Sequence, residues 1–257
     1  MSDTTIHPSP VPVEYVAPLA SPTPSGLWRV ATGPLRLPEH AWSGIAVKPV
    51  NAGGGFGTWE MDPCYAPLDP DARKDGERPA PLEPFFPLVT WGFDECDPQE
   101  TDEQVLVQAR QNQRLGEPTA VEADFAARLM IDAVDLGSVA DIVGAVSVLE
   151  AAMAGHRQVG VLHAGAQWAG AAHRDKVATG SPIARSPLGH SWAFGGGYVA
   201  GLGDTLVITG PVTIWTGPVF ERTAVDPYKN VRSAVVERAV AVSYEALAYR
   251  VAITAAV

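Results

Sequence analysis

The stretch TLVITGPVTIWTGPVFERTAV, residues 205–225, repeats TGPV seven residues apart inside the most β-prone part of the chain. Glycine leaves a strand without a side chain to pack, and proline removes a ladder donor. Two breaks at one offset therefore need a reason. Either they are turns that hold a ligand, or they bend one long strand to fit a neighbouring molecule. The remainder of the sequence discriminates between these readings.

The chain has 257 residues, 46% of them hydrophobic, which suffices for one large domain or two smaller ones. No apolar run approaches the roughly 18 residues that a membrane span requires. The opening MSDTTIHPSPVPVEYVAPLASPTPSG has neither a basic n-region nor an apolar h-region, so a secretion signal is not expected. Cys64 and Cys96 are the only cysteines, which argues against a disulfide framework. The formal net charge is −11 with a pI near 4.9. A chain whose task was to grip phosphates would be basic, so direct nucleic-acid binding is not expected.

Residues 1–25 form a separate regime. Pro8, Pro10, Pro12, Pro18, Pro22 and Pro24 oppose helix and favour extended, polyproline-like chain. Such an arm has few groups to bury on its own domain, and a neighbouring subunit is the expected holder. Short β-like pieces are expected around 27–31 and 44–50. Residues 51–91 are dominated by Gly, Pro and charge, a length uncommon for a loop that serves only its own domain. Thr101 with Gln104 makes a capping box ahead of Val105, Leu106 and Ala109, and Gly116 with Pro118 is expected to end that helix. Thr119 with Glu122 repeats the signature before Phe125, Leu129 and Ala133. A third helix is expected from Ser138, with Asp141 as its box partner, to Gly155. A buried strand at 159–163 and a short helix over 165–177 follow. From 183 the pattern is strand and turn, and the closing ERAVAVSYEALAYRVAITAAV alternates like strand. The fold class expected is α+β.

Enzymatic signatures are weak throughout. NAGGGFGTW and AFGGGYVAGLGD lack the lysine of a P-loop and open no helix, so they are expected to be close-packed turns. His156, His163, His173 and His190 fall in one third of the chain, with Asp175 beside His173, but no H-E-x-x-H or C-x-x-C spacing fixes a coordination geometry. Cys96 lies in FDECDPQE, an electronegative setting that disfavours a thiolate. No G-x-S-x-G elbow is present. The acidic run from Asp94 to Glu103 suits the positive end of the helix that starts at Thr101.

The order of elements resembles the major capsid proteins of tailed bacteriophages with the Hong Kong 97-type fold, in particular those of phages of actinobacteria. Four segments carry the resemblance: SVADIVGAVSVLEAAM, GVLHAGAQWAG, SPLGHSWAFGGGYVAGLGDTLVITGPVTIWTGPV and NVRSAVVERAVAVSY. Within them, Gly160–His163, Leu188–Tyr198, Ile208–Val212 and Val236–Arg238 stand where that family has its recurring short patterns. GLWRVATG and WSGIAVKP look like its entry segment. The duplicated TGP and the LGEP at 115–118 depart from the pattern.

The resemblance implies an N-terminal arm over 1–25, an entry segment over 26–44 and an extended loop over 45–90. It implies a peripheral domain with a spine helix from 91–137 and 206–257, and an axial domain from 138–205. It further implies a non-enzymatic shell protein without cofactor or metal, associating with many copies of itself as pentamers and hexamers around double-stranded DNA. Scaffold, portal and decoration proteins are the other partners implied. The location implied is the virion capsid, assembled in the host cytoplasm without a membrane. Subunit-interface residues expected on this basis are Pro8, Pro12, Phe56, Trp59, Tyr65, Trp168, Trp192 and Tyr198. An encapsulin-like compartment or another virion structural protein shares parts of the pattern. The alternative from another class is a cytosolic metal-dependent enzyme using His163, His173 and Asp175.

Overall fold

The computed structural model describes residues 16–58, 73–96 and 100–254. Its elements run in the order α1 (Leu27–Val30), β1 (Thr32–Arg36), β2 (Leu88–Cys96), α2 (Asp102–Asp132), β3 (Val134–Val139), α3 (Ile142–Gly155) and β4 (Val161–Gly165). Then come α4 (Ala169–Arg174), β5 (Ser191–Gly195), α5 (Tyr198–Gly201), β6 (Thr205–Thr209), β7 (Val212–Thr216), β8 (Phe220–Asp226), β9 (Val231–Tyr244) and β10 (Ala248–Ile253). The fold is α+β.

Two sheets organise the chain. The first has the order β1-β7-β9-β2, with β8 also paired to β9; the second has the order β3-β10-β6-β4-β5. Helix α2 lies across β2 and β9 of the first sheet. Its side chains Val121, Phe125, Ala126 and Leu129 join those of Val212, Ile214, Val240 and Tyr244 in one core, while Val105 and Ala109 pack separately on Ala234 and Val236. The second core gathers Ile142, Val146, Leu149 and Met153 of α3 against Leu162, Leu206, Ile208 and Val251 of the second sheet.

The TGPV repeats sit at the joints of this plan. Thr209 pairs with Ala248 and Val212 with Tyr244, so two residues, 210 and 211, face three, 245–247. Here the chain leaves the second sheet and enters the first. Ala246 takes a left-handed conformation at φ 46, and the Gly210 amide donates to the Leu247 carbonyl at 3.0 Å. At the second repeat, Thr216 pairs with Val240 and Phe220 with Glu237, so residues 217–219 face only 238 and 239. Each joint is thus a one-residue bulge, and the two lie on opposite strands of one antiparallel ribbon. A bulge bends and twists a ladder. Pro211 and Pro218 both fall in the gaps, where no ladder donor is needed.

Several expectations are corrected. Residues 102–132 form one continuous helix, about 46 Å long at 1.5 Å per residue, with Pro118 inside it. An internal proline removes a hydrogen bond and crowds the preceding turn, a cost of roughly 3 kcal/mol. Burial of Val105, Ala109, Val121, Phe125, Ala126 and Leu129 outweighs it, since each large apolar side chain contributes on the order of 2 kcal/mol. Thr119 and Glu122 therefore start no second helix, whereas the Thr101–Gln104 box forms as expected. Residues 27–30 are helical rather than extended, and 44–50 contribute only a bridge from Ile45 to Phe85. Ser138 lies in β3, and Asp141 caps α3 by accepting from the Gly144 amide. The helix expected over 165–177 is a 3-10 turn at Ala166–Trp168 followed by the short α4. Residues 88–96, part of which was expected to be loop, form a strand paired along its length with β9.

Candidate functional site

Two limbs leave this body. Residues 16–25 lie exposed along α2, with Val16 91% accessible, and are tied down by Gln111, which donates to the Ala20 carbonyl at 2.7 Å. Arg114 donates to the Ser21 hydroxyl at 2.9 Å. The second limb has two legs, 45–58 and 73–87. Ile45 and Phe85 exchange backbone hydrogen bonds of 2.8 and 3.0 Å at its base. Farther out, the Gly54 amide donates to the Glu77 carbonyl at 2.7 Å. A Cβ on Gly55 would stand 1.9 Å from the Asp75 carbonyl oxygen, and one on Gly76 would stand 2.0 Å from the Gly55 nitrogen. The NAGGG cluster thus lets the two legs of the loop touch backbone to backbone.

Charged side chains fix both legs of the second limb to the body. Glu245 lies in the bulge between the sheets and accepts from the Val50 and Asn51 amides and, at 2.6 Å, from the Asn51 side chain. Partial burial disfavours its charge, but the donors from 50–52 outweigh that and hold the carboxyl below its usual range. The Arg157 guanidinium stands 4.0 Å from the Phe56 ring centre, a cation–π contact on the same leg. At the other leg, Arg128 donates to the Glu83 and Pro84 carbonyls, covers the Phe85 ring at 4.6 Å and pairs with Asp132. Asp132 in turn accepts from the Tyr244 hydroxyl at 2.9 Å.

Two carboxylates on α2 tie the layers together. Glu117 accepts from Thr90 on β2 at 2.9 Å, from Gln113 at 2.8 Å and from both Nε and Nη2 of Arg238 on β9. Glu122 accepts from the Leu27 amide at 2.9 Å and the Gly197 amide at 3.1 Å, joining the entry segment to the second sheet. Burial pushes the Glu122 carboxyl up, against the opposing pull of these amides. A Cβ on Gly197 would lie 2.2 Å from the Thr119 carbonyl oxygen, so AFGGG is a close-packed turn against α2.

The metal-site alternative fails on geometry. His163 is fully buried, and both of its ring nitrogens are engaged. The Thr209 hydroxyl donates to the Gly210 carbonyl at 2.8 Å, so it accepts from Nε2–H of His163 at 3.0 Å. That leaves Nδ1 to accept from the Tyr198 hydroxyl at 3.1 Å. Burial pushes the His163 pKa down to about 3, keeping the ring neutral. His173 is exposed on α4, and Asp175 pairs with its neighbour Arg174 at 2.8 Å. Among the described residues no group of three or more His, Cys, Asp or Glu side chains could hold a metal ion. No helix among them is long and apolar enough to cross a membrane.

Of the residues expected at subunit interfaces, Pro8, Pro12, Trp59 and Tyr65 lie outside the described residues. Phe56 is exposed and capped by Arg157. Trp168 is partly exposed and donates to the Gly203 carbonyl at 3.3 Å. Trp192 and Tyr198 need correcting: both are fully buried in the chain's own core. Trp192 stacks on Phe194 at 4.8 Å and donates to the Val177 carbonyl, while Tyr198 serves His163.

The surface that sequence reasoning missed is the face of the first sheet turned away from α2. On β2, Thr90 and Gly92 face the helix, and a Cβ on Gly92 would meet the Ala109 carbonyl oxygen at 2.3 Å. Val89, Trp91 and Phe93 therefore point outward, with Trp91 67% accessible. Phe220, across β9 from Trp91, extends this apolar face. The period-two alternation was legible, but it is inverted, with the large apolar residues on the exposed side. Glu117, Glu122 and Arg128 were missed as well. The available signal was that Glu122 shares a helical stripe with Phe125 and Leu129.

No protein-family model matches the sequence, and no curated protein matches it. Solved structures do match along nearly the whole chain. One, titled "Capsid of empty GTA particle computed with C5 symmetry", has 15% identity and a TM-score of 0.54, covering 96% of this chain and 95% of that one. A chain of Mycobacterium phage Che8 has 12% identity and a TM-score of 0.52, covering 97% and 98%. A chain of Mycobacterium phage Adephagia has 13% identity and a TM-score of 0.53, covering 96% of each.

Proposed function

We propose that this chain, which has the Hong Kong 97-type capsid fold, is a major capsid protein that self-assembles into an icosahedral shell around double-stranded DNA. The observation that carries this reading is the fold's correspondence over 96% of the chain with the capsid of a GTA particle. Two features of the chain support it. Among the described residues the limbs are tied to the body by Glu245, Arg157, Arg128, Gln111 and Arg114. The outward face of β2 leaves Val89, Trp91 and Phe93 in water, where monomeric proteins seldom place contiguous apolar surface.

In this reading the function is association rather than chemistry. The sheet carrying α3, with β6 and β10 completing it, is the axial body that meets its copies at five- and six-fold centres. The sheet under α2 is the peripheral body, and α2 is its spine. Residues 1–25 and 45–90 lie over neighbours, with Phe56 and Trp168 at the contacts. Many modest interfaces then act together, because each engaged limb raises the effective concentration of the next. An acidic chain lets packaged DNA slide rather than adhere. Assembly takes place in the host cytoplasm with scaffold and portal proteins, and the product is the virion head. Negative-stain microscopy of the purified protein, alone and co-expressed with a phage scaffold protein, tests the reading. Closed particles tens of nanometres across are expected; a protein that stays a small oligomer under both conditions overturns it.

A further inference from the structure

Beside the base of the extended loop is a groove of about 300 Å³ lined by Phe85, Phe86, Pro87, Phe125, Ile131 and Val242, with Asp124 and Arg128 also at its wall. Phe86 and Ile131 stand 63% and 81% accessible. We propose that this groove is the docking site for residues 8–13, Pro-Ser-Pro-Val-Pro-Val, of a second copy of the chain. The inference rests on the shell reading and deepens it by naming which surface receives the arm.

The chemistry of the two parts is complementary. Proline-rich chain favours a helix of three residues per turn, which brings residues three apart onto one edge. Pro8 with Val11 and Pro10 with Val13 then form two adjacent apolar edges, a ridge suited to a trough of aromatic and proline rings. A polyproline-type chain makes no internal hydrogen bonds, so in that conformation the amides of Val11 and Val13 would donate to the groove. Asp124, exposed at the groove wall, is the matching acceptor: no hydrogen bond or ion pair to it is formed by the described residues.

The path of the chain selects a second copy over the same one. Leu27 is bound at Glu122 and Ala20 at Gln111, so the arm runs toward the N-terminus of α2 as it approaches Val16. Ile131 lies 20 residues beyond Gln111 on that helix, about 30 Å in the opposite direction. The arm thus departs from its own groove and is directed to a neighbour's.

The test uses full-length chains with Cys64 and Cys96 replaced by serine. One batch carries Val11→Cys and the other Ile131→Cys; the two are co-assembled and oxidised. A dimer containing both variants, reversed by reductant, is expected on a non-reducing gel. Intact particles without that dimer overturn the inference and leave the shell reading standing. A link that forms only when both cysteines are in one chain, without joining two chains, also overturns it. Failure of the unmodified protein to form particles removes the shell reading and this inference together. As an independent readout, Ile131→Glu, at an exposed position, should speed chymotryptic cleavage after Tyr15 in particles about tenfold. An unchanged rate means that the arm lies elsewhere.

Discussion

Replacing Glu122 by alanine should be among the most damaging single changes in the chain, although no part of the proposed assembly surface is altered. The carboxylate receives the Leu27 and Gly197 amides, and both residues are buried. A third donor, Gly196, is exposed and can turn to water. Two buried donors left without an acceptor cost roughly 1–3 kcal/mol each. Relief of the carboxylate's own burial offsets part of this, so a loss of about 2–3 kcal/mol is expected. Glu122→Gln keeps the volume and one acceptor oxygen, and should lose about half as much. Urea unfolding of the unassembled subunit, followed by tryptophan fluorescence, measures both, with the exposed Glu39→Ala as control. A loss below about 1 kcal/mol for Glu122→Ala would refute the reasoning, given the cost of unmet donors. So would a glutamine variant as unstable as the alanine one.

Arg238→Met leaves the buried Glu117 carboxylate without its cation and should cost about 2–4 kcal/mol, reduced from the fully buried case because Arg238 is partly exposed; the double change Glu117→Met/Arg238→Met should recover most of it, and no recovery would count against the pair. His163 is neutral in the fold with a pKa near 3, whereas the unfolded chain protonates it below about 6.5, so stability should fall by about 1.4 kcal/mol per unit as pH drops from 6.5 toward 3. His163→Gln should lack that component, and parallel pH profiles for the two proteins would exclude it. Pro118→Ala should stabilise the subunit by about 1–3 kcal/mol, since the helix already continues through that position, and a net loss in the unfolding midpoint would contradict this. Glu245→Ala frees the amides of Val50 and Asn51, so chymotryptic cleavage after Phe56 should quicken several-fold while the cores stay folded; an unchanged rate would show that the loop base is held otherwise.

Local chemistry was legible wherever a residue imposes its own geometry. Pro211 and Pro218 cannot donate to a ladder, so the TGPV repeats marked breaks that the fold realises as two bulges. The Thr101–Gln104 box, the apolar period of α3 and the alternation in 231–244 likewise depend on neighbours within a few residues. So does the proline-rich composition of the arm. What the tertiary structure decided were the outcomes set by distant partners. Pro118 does not end α2, because side chains on both sides of it, Val105 and Ala109 before and Val121, Phe125 and Leu129 after, are buried against the first sheet and compensate the lost bond. Glu117, Glu122 and Glu245 look like ordinary solvated acids until Arg238, Gly197 and Asn51, each tens of residues or more away in sequence, are brought to them. The same holds for His163, whose ring became a core hydrogen-bonding group rather than a metal ligand only when Tyr198 and Thr209 closed on its two nitrogens. A pattern in sequence records what a residue prefers within one or two turns of chain. Which preferences prevail depends on burial and pairing energies, and these arise only once remote strands meet.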